Sequence, residues 1–362
     1  MSETEISLRR GWTTGACATA AAKAAFSALI TGQFPDPVEI TLPKGQRVSF
    51  SLAKERLAET SAMAAVIKDA GDDPDVTHGA LVEVTISIDQ SSSGISFRSG
   101  EGVGTVTKVG LPIGVGEPAI NPIPREMIKN AILEVSKKNN KQVGVIVEIS
   151  IPGGEEIALK TWNPRLGIVG GLSILGTTGI VIPFSCSAWI HSIHRGIDVA
   201  RAAGVNHVGA CTGSTSETAV RQKYELPESS ILDMGDFVGG ALKYLRTHPI
   251  ERITIGGGFG KLSKLGQGHL DLHSGRSQVD LDWLAKLAGR VCESDEVLGQ
   301  IYAANTAMEV LGIASQNKIQ LADLVANEAR IIALEVLSSA PVAVEVLIFD
   351  RSGQLVGSAN GW

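Results

Sequence analysis

The sequence predicts an α/β protein that combines a mixed α+β domain with a Rossmann-like α/β domain. The chain has 362 residues, which is too many for one ordinary domain of about 100–150 residues. Strand and helix patterns alternate between residues 206 and 337, with glycine-rich turns after the strands, as in an open parallel sheet. The residues before about 162 differ, because short alternating strands surround only two helices there.

In the first part, the alanine-rich run at residues 16–29 predicts a helix, with Thr13 and Thr14 placed to cap it. The alternating segment at residues 80–88 predicts a strand with one buried face. Four prolines and three glycines predict a loop at residues 110–124. Further strands are predicted at residues 38–42, 47–52, 94–98 and 144–151, and a second helix at residues 125–137.

The second part begins with helical periodicity at residues 185–203. A short apolar strand at residues 206–211 is followed by TGSTSE, a turn of glycine and hydroxyl residues that opens a helix. Further strands are predicted at residues 230–232 and 252–255, and helices at residues 236–246 and within 280–337.

The tail returns to strand patterns. Residues 342–349 and 354–358 flank a turn and predict a hairpin. Because this pattern matches the first part better than the second, we predict that the tail rejoins the first domain. That domain would comprise residues 1–164 with 336–362, and the α/β domain with the cofactor site would be an insertion of residues 165–335.

Composition excludes several classes of protein. Hydrophobic residues make up 44% and charged residues 19%, which excludes a disordered chain. The net charge of −6 argues against a general nucleic-acid binder. Glycine is in excess, with 41 residues and no collagen-like period, so it is expected in turns and ligand loops. The four cysteines form no CxxC pair, which favours reduced, mostly buried thiols in a cytoplasmic protein.

Two segments bear on a membrane or secretory location. The N-terminal MSETEISLRRG is polar and lacks the apolar core of a signal peptide. Residues 166–190 carry no charge and could reach across a bilayer, but five glycines and Pro183 interrupt them. We therefore expect a buried glycine-rich segment and no membrane partner.

The strongest local signal for a ligand site follows the strand at residues 206–211. Thr212, Gly213 and Ser214 stand at a helix start, and a second strand ends at Asp233, twenty residues after Gly213. Glycine lets a ligand approach the backbone, and a helix N-terminus offers free N–H groups. An acidic residue after the second strand is the usual partner of ribose hydroxyls. The pattern predicts a nucleoside cofactor, although simple helix capping by Ser214 and Asp233 also explains it.

A second glycine run, GGGFGK at residues 256–261, follows another strand. It is not a Walker loop, because Leu262 replaces the required Ser or Thr and Ile255 stands where the first glycine belongs. It is not a G-x-G-x-x-G dinucleotide motif either. Candidate contacts to the cofactor or substrate at this strand end are Gly256, Gly257 and Gly258.

Cations are concentrated in KLSKLGQGHLDLHSGRS, residues 261–277. Lys261, Lys264 and Arg276 suit a ligand with several carboxylates or phosphates, and a solvated basic turn is the alternative. His269 and His273 lack a third and fourth metal ligand nearby, so no metal site is predicted. No catalytic triad or G-x-S-x-G elbow is present. The residues alone thus predict an α/β protein that binds a nucleoside cofactor and an anionic ligand.

Four motifs in order along the chain extend this prediction. The first, LRRGWTTGACATAAAKAA, resembles the N-terminal signature of the cobalamin-biosynthesis family CbiD, with Trp12 at a position where that family often has Tyr. The others resemble the later motifs of the same family: GVGTVTKVGLPIGVGEPAINPIPREMI, NPRLGIVGGLSILGTTGIV with HSIHRGIDVARAAG, and GGGFGKLSKLGQGHLDLHSGRSQVDLDWLA.

The resemblance implies a CbiD-like two-domain fold and a C-methyltransferase. Such an enzyme transfers a methyl group from S-adenosylmethionine to C1 of cobalt-precorrin-5B in the anaerobic route to vitamin B12, giving cobalt-precorrin-6A. The cobalt belongs to the substrate, whose acetate and propionate arms suit the cationic segment. Thr13, Thr14 and Gly15 are candidate substrate contacts, with a helix cap as the equal alternative.

Methyl transfer from a sulfonium is a direct displacement that depends mainly on alignment of donor and acceptor. A base is needed at most for loss of a proton, and the candidates are His269, Asp271 and His273. Two other functions stay open: a non-catalytic corrinoid-binding partner in the same pathway, and an unrelated nucleotide-dependent enzyme, which the failed Walker and dinucleotide patterns disfavour. The expected partner is a small corrin precursor. A homo-oligomer and transient contacts with neighbouring pathway enzymes stay open.

Overall fold

The computed structural model describes residues 8–362. It forms two compact units, which divide between Ser185 and Cys186. Residues 1–7, on which the signal-peptide prediction partly rests, lie outside the described range. In the described range, no helix has both the length and the apolar character to cross a bilayer.

The first unit is built from three helices and eleven strands within its described residues. The helices are α1 (Thr14–Thr31), α2 (Pro122–Lys138) and α3 (Gly154–Ala158). The strands are β1 (Gly11–Trp12), β2 (Val38–Thr41), β3 (Arg47–Phe50), β4 (Lys54–Leu57), β5 (Ser61–Ile67), β6 (Leu81–Ile88), β7 (Ile95–Ser99), β8 (Thr105–Val106), β9 (Val145–Ser150), β10 (Ile168–Val169) and β11 (Ile180–Val181).

A five-stranded sheet in the order β4-β5-β6-β9-β7 carries the core of this unit. Its pairs are antiparallel except for β7 with β9. Helix α1 packs on β5, β6 and α2, and its alanines are buried on nearly every side because their small side chains let the neighbouring elements come close. Thr13 caps the helix by accepting a hydrogen bond from the backbone N–H of Ala16 at 3.2 Å, as predicted.

Two local predictions fail in this unit. No strand is predicted at β4 or β5, and the SAMAAVI segment of β5 is rich in alanine, which favours helices. In the structure β5 lies inside the sheet between β4 and β6, where its small side chains face the alanine-rich α1. Helix α2 begins at Pro122 instead of residue 125, because a proline in the first turn loses no hydrogen bond that the helix would make.

The second unit contains an open sheet in the order β13-β12-β14-β15-β16. The strands are β12 (His207–Cys211), β13 (Ile231–Asp233), β14 (Arg252–Gly258), β15 (Ala343–Phe349) and β16 (Leu355–Ala359). The helices are α4 (Cys186–Ala202), α5 (Ser214–Tyr224), α6 (Val238–Thr247), α7 (Phe259–Gly266), α8 (Leu281–Ala288), α9 (Asp295–Ala303), α10 (Ala307–Gln316) and α11 (Leu321–Leu337).

Four of these strands run parallel, and only β16 is antiparallel to its neighbour. One sheet face packs into a large core that includes side chains from α4, α6, α7 and α11. The opposite face meets α5 through a small cluster around Val220 and Phe349. Counted along the chain, the strand order is 2-1-3-4-5, which is a doubly wound order and agrees with the predicted α/β class.

The predicted domain boundaries need correction. The tail forms the predicted hairpin, but β15 pairs with β14 in the second unit and does not rejoin the first. The near-continuous apolar run of β15 suits a parallel strand covered on both faces. Residues 165–185, predicted to belong to the insertion, lie in the first unit, where Leu172 and Ile174 bridge to Val103 and Ile120.

Candidate functional site

The carboxyl edge of the sheet in the second unit brings the predicted cofactor residues together. Cys211 at the end of β12 is paired in register with Asp233 on one side and Gly256 on the other. From β12 the chain continues to β13 on one side of it, and the later strand β14 lies on its other side. The gap between β12 and β14 is therefore a topological switch point. Ligands of open α/β sheets bind in the crevice outside the strand ends at such a point.

The connection after β12 leads directly into helix α5. Gly213 is the N-cap residue, and its carbonyl accepts hydrogen bonds from the hydroxyl of Ser216 and the N–H of Glu217. Gly213 and Ser214 are exposed, and a Cβ added to Gly213 would meet no atom within 4 Å. Because the first N–H groups of a helix lack an intrahelical acceptor, this helix start can receive an anionic group of a ligand.

The three glycines after Ile255 differ in their surroundings. They belong to β14 itself, because the strand continues to Gly258 instead of ending at residue 255. A Cβ on Gly256 would lie 2.8 Å from Val220, and one on Gly257 would lie 2.8 Å from the hydroxyl of Thr212. These two glycines therefore permit close packing. A Cβ on Gly258, the N-cap residue of α7, would meet no atom within 4 Å, so this position faces open space.

Lys261 joins the two strand ends. Its Nζ donates to the carbonyl oxygen of Thr212 at 2.9 Å and lies 3.0 Å from the Oδ1 of Asp236. The start of the cationic segment, residues 261–266, belongs to the regular helix α7. Lys264 on this helix is buried, and its Nζ donates to the carbonyl of Leu272 at 2.9 Å. Lys264 therefore holds the following segment in place from inside the protein.

The polar residues after α7 sit on a turn anchored by Leu270 and Leu272. The N–H of Gly239 donates to the Leu270 carbonyl, and the N–H of Leu272 donates to the Asp236 carbonyl. This backbone pairing fixes the segment beside the carboxyl edge, next to the start of α6.

Within that turn the predicted base candidates have different partners. Asp271 accepts from the N–H of His273 at 3.1 Å and pairs with the guanidinium of Arg276 at 3.0 Å. The Nδ1 of His273 accepts from the N–H of Gly275 at 3.1 Å. His269 is exposed, and its ring makes no hydrogen bond with any described residue. Of the three candidates, His269 is thus the one whose side chain makes no hydrogen bond within this turn.

The histidines of the second unit have other surroundings than a metal cluster. Within residues 8–362, no group of three or more His, Cys, Asp and Glu side chains is arranged to hold a metal ion. His194, three residues after His191, stacks on Tyr244 with ring centroids 4.0 Å apart. Burial lowers the pKa of His194, which favours the neutral ring.

The first unit holds the remaining predicted substrate residues. Thr13 caps α1, and the hydroxyl of Thr14 donates to the carbonyl of Leu175 and accepts from its N–H. A Cβ on Gly15 would lie 2.8 Å from Pro124, so this glycine permits close packing at the helix start. Thr13 and Thr14 also line a pocket that contains Lys68. Lys68 is absent from the predicted site residues, because a single lysine in the sequence gives no sign that its side chain is buried.

The fold defines the class: an α/β protein with a doubly wound sheet, whose carboxyl edge is the candidate ligand site. A family model described as CbiD matches residues 1–183, and one described as CbiD, C-terminal domain, matches residues 271–360. The chain belongs to the CbiD family. The end of the first match lies close to the boundary between the two units, and the second match includes the tail hairpin.

Curated relatives match almost the whole chain. A Brucella anthropi protein named cobalt-precorrin-5B C(1)-methyltransferase is 59% identical over 355 residues, which cover 98% of this chain and 96% of that protein. A Brucella canis protein of the same name is 60% identical over 349 residues, covering 96% of this chain and 95% of that protein. A crystal structure of the cobalamin biosynthesis protein cbiD from Archaeoglobus fulgidus is 30% identical, covers 70% of this chain and 77% of that chain, and has a TM-score of 0.39.

Proposed function

We propose that this protein methylates cobalt-precorrin-5B at C1, with S-adenosylmethionine as the methyl donor. The observation that carries the proposal is full-length similarity to relatives of that name, in a chain with a glycine-lined switch point. The products are cobalt-precorrin-6A and S-adenosylhomocysteine. Cobalt enters only as part of the substrate.

The donor is assigned to the carboxyl edge of the second unit. Open space at Gly213 and Gly258 leaves room for a ligand against the backbone. Asp233, at the end of the neighbouring strand β13, is the proposed partner of the ribose hydroxyls. The exposed start of α5 at Ser214 is the proposed partner of the donor's carboxylate. The donor supplies an activated methyl group, and the protein's task is to align it with the acceptor carbon.

Loss of a proton after methylation requires an acceptor. Among the three candidates, His269 has the least restrained side chain, whereas those of Asp271 and His273 make hydrogen bonds within the turn. We assign the base to His269 and the cationic contact with the substrate to Arg276. A His269→Gln variant is expected to lower kcat by about 100-fold or more, and His273→Gln to lower it less. Equal losses in both variants would contradict the assignment.

The test of the activity uses the purified chain, methyl-labelled S-adenosylmethionine and cobalt-precorrin-5B. The expected result is label in the corrinoid product, with the mass increased by one methyl group, and formation of S-adenosylhomocysteine. Corrinoid binding without label would favour the non-catalytic binding partner. Failure to bind S-adenosylhomocysteine by calorimetry, with and without the corrinoid, would contradict a methyltransferase.

A further inference from the structure

A pocket of about 150 Å³ opens beside the start of helix α1 in the first unit. A pocket of this size admits a terminal group of a few heavy atoms and is too small for a macrocycle. Its polar wall includes Thr13, Thr14, Lys68, Asp75, Asn163 and Ser173.

Lys68 is the unusual member of this wall. Its side chain is 2% exposed, and its Nζ lies 2.6 Å from the Oδ2 of Asp75. An ammonium group has three N–H donors, and a buried donor without an acceptor destabilises the folded protein. Among the described residues, Asp75 is the one acceptor for Lys68, so two of its donors have no protein partner.

Two further residues of the pocket wall also have a hydrogen-bond donor without an acceptor among the described residues. Asn163 is buried, and one N–H of its amide donates to the Gly171 carbonyl while its oxygen accepts from Ser173. The amide has a second N–H. The hydroxyl of Thr13 accepts from Ala16, and its own proton has no acceptor among the described residues. The wall therefore offers more donors than it uses.

The acceptors of the wall are by contrast occupied. Both oxygens of Asp75 accept hydrogen bonds, Oδ2 from Lys68 and Oδ1 from the N–H and hydroxyl of Thr77. Burial disfavours the charged carboxylate, but these partners outweigh that effect, and the pKa of Asp75 lies below its usual value. The N-terminus of the 18-residue α1 adds a partial positive charge. Surplus donors near a positive helix end favour an anionic acceptor.

We propose that this pocket binds a terminal carboxylate of the substrate, with Lys68, Asn163 and Thr13 as hydrogen-bond donors. The inference rests on the proposed function, because the acetate and propionate arms of cobalt-precorrin-5B supply such carboxylates. One arm enters the pocket, and the macrocycle stays outside it. Lys68 is a specificity residue that distinguishes a carboxylate arm from a neutral amide arm.

The first experiment titrates the full-length chain with cobalt-precorrin-5B and measures both the dissociation constant and KM. Lys68→Gln is expected to raise both at least tenfold and to leave the dissociation constant of S-adenosylhomocysteine unchanged. The matched control is Lys54→Gln, which removes an exposed lysine of the same sheet and is expected to change neither. Trp12 packs on Phe50 with ring centroids 5.3 Å apart, so near-ultraviolet circular dichroism checks that the first unit stays folded.

Asp75→Asn separates ligand binding from a purely structural ion pair. Removing the carboxylate frees the ammonium for the substrate, so we expect tighter corrinoid binding, opposite to the effect of Lys68→Gln. If both variants weaken binding equally, or neither changes it, the ion pair is structural only and the inference is overturned.

A second probe tests the chemical class of the ligand. Propionate should compete with the corrinoid on the wild-type chain, propionamide should not, and neither should compete on Lys68→Gln. Equal competition by the acid and the amide would refute carboxylate selection. Failure of the proposed function would show differently, as absence of methyl transfer by the wild-type chain. Methyl transfer with unchanged KM in Lys68→Gln would reject the pocket alone.

Discussion

Gly171 and Gly176 in the first unit and Gly213 and Gly258 in the second differ in what surrounds their Cα atoms. Both of the first pair have positive φ values, and an added Cβ would overlap the Gly102 carbonyl or the side chain of Thr13. The second pair have extended backbones, and an added Cβ would meet nothing within 4 Å. Glycine in the first segment is a folding requirement, whereas in the second it leaves open space beside the carboxyl edge of the sheet.

This difference divides the glycines that the sequence analysis expects in turns and ligand loops into two kinds. Residues 167–179 are glycine-rich because their backbone lies against residues 102–104 and against the start of α1. The glycines at the switch point are themselves divided, since Gly256 and Gly257 are packed and Gly258 is not. Substitutions that distinguish packing glycines from ligand glycines therefore test the comparison directly.

The largest effect is expected for Gly171→Ala. Its φ of 155° and the overlap with the Gly102 backbone leave no way to place a Cβ without moving the main chain. We expect the free energy of unfolding of the first unit to fall by about 3 kcal/mol or more, as measured by urea denaturation.

Gly170→Ala is the matched control for this substitution. Gly170 also has a positive φ, but an added Cβ would meet no atom within 4 Å. Only the left-handed backbone is penalised, so we expect a loss of about 1 kcal/mol. Similar losses at both positions would show that conformation alone, and not the close approach, determines the need for glycine.

Gly213→Ala in the second unit should affect ligand binding and leave stability almost unchanged. The extended backbone accepts alanine, so the free energy of unfolding is expected to change by less than about 0.5 kcal/mol. If the donor lies against this glycine, the Cβ takes up ligand space, and the dissociation constant of S-adenosylhomocysteine should rise about tenfold, or about 1.4 kcal/mol. Unchanged calorimetric binding would remove Gly213 from the cofactor site.

A pair of polar substitutions sharpens the division between cofactor and substrate contacts within the second unit. Asp233→Asn should weaken S-adenosylhomocysteine binding by about 1 kcal/mol, because a ribose partner is lost, and should affect corrinoid binding less. Arg276→Ala should do the reverse, because the exposed guanidinium is the proposed carboxylate contact. Calorimetry with each ligand separates the two, and an inverted pattern would mean that the sites are exchanged.

The smallest effect is a difference between the units in mild acid. Burial lowers the pKa of His194 and of His207 below their usual 6.5. These two histidines therefore bind protons more readily in the unfolded chain than in the folded one. The second unit should lose stability as the pH falls below 6.5, and this loss should end once the pH is below the pKa values of the folded state.

The first unit should respond at lower pH. A hydrogen bond from Arg9 lowers the pKa of Asp69 from 3.8 to about 2, and the pKa of Asp75 is also lowered. Their stabilisation is complete above the unfolded value of 3.8 and is lost as pH falls through the folded values. Peptide-resolved hydrogen exchange at pH 7 and 5.5, corrected for intrinsic rates, should show protection lost in the second unit first. Equal loss in both units would contradict this order.

Local patterns predicted much of this fold because they depend on neighbours in the sequence. The helix at residues 16–29 and its cap at Thr13, and the strand at residues 80–88, follow from spacing and cap chemistry that act over a few residues. Strand β5 was not predicted, because its alanines fit the close packing of α1, which comes from a distant part of the chain.

The candidate site shows the same limit. Thr212 and Gly257 were each predicted as ligand residues from their own strand ends, but their adjacency depends on the pairing of β12 with β14. The hydrogen-bond partners of Lys264 and Lys68 could not be predicted either, because the sequence does not distinguish a buried lysine from an exposed one. Placement of the tail failed because a hairpin pattern does not say which sheet receives it.

The position of β15 in the sheet has a consequence for biosynthesis. This strand, residues 343–349, is inserted between β14 and β16, so the second unit cannot complete its sheet until these late residues have left the ribosome. The five-stranded sheet of the first unit is complete before residue 151, and the whole unit ends at Ser185, so it can fold much earlier. During that interval the edge of β14 that will receive β15 is unpaired, and an unpaired strand edge can pair with another chain and promote aggregation.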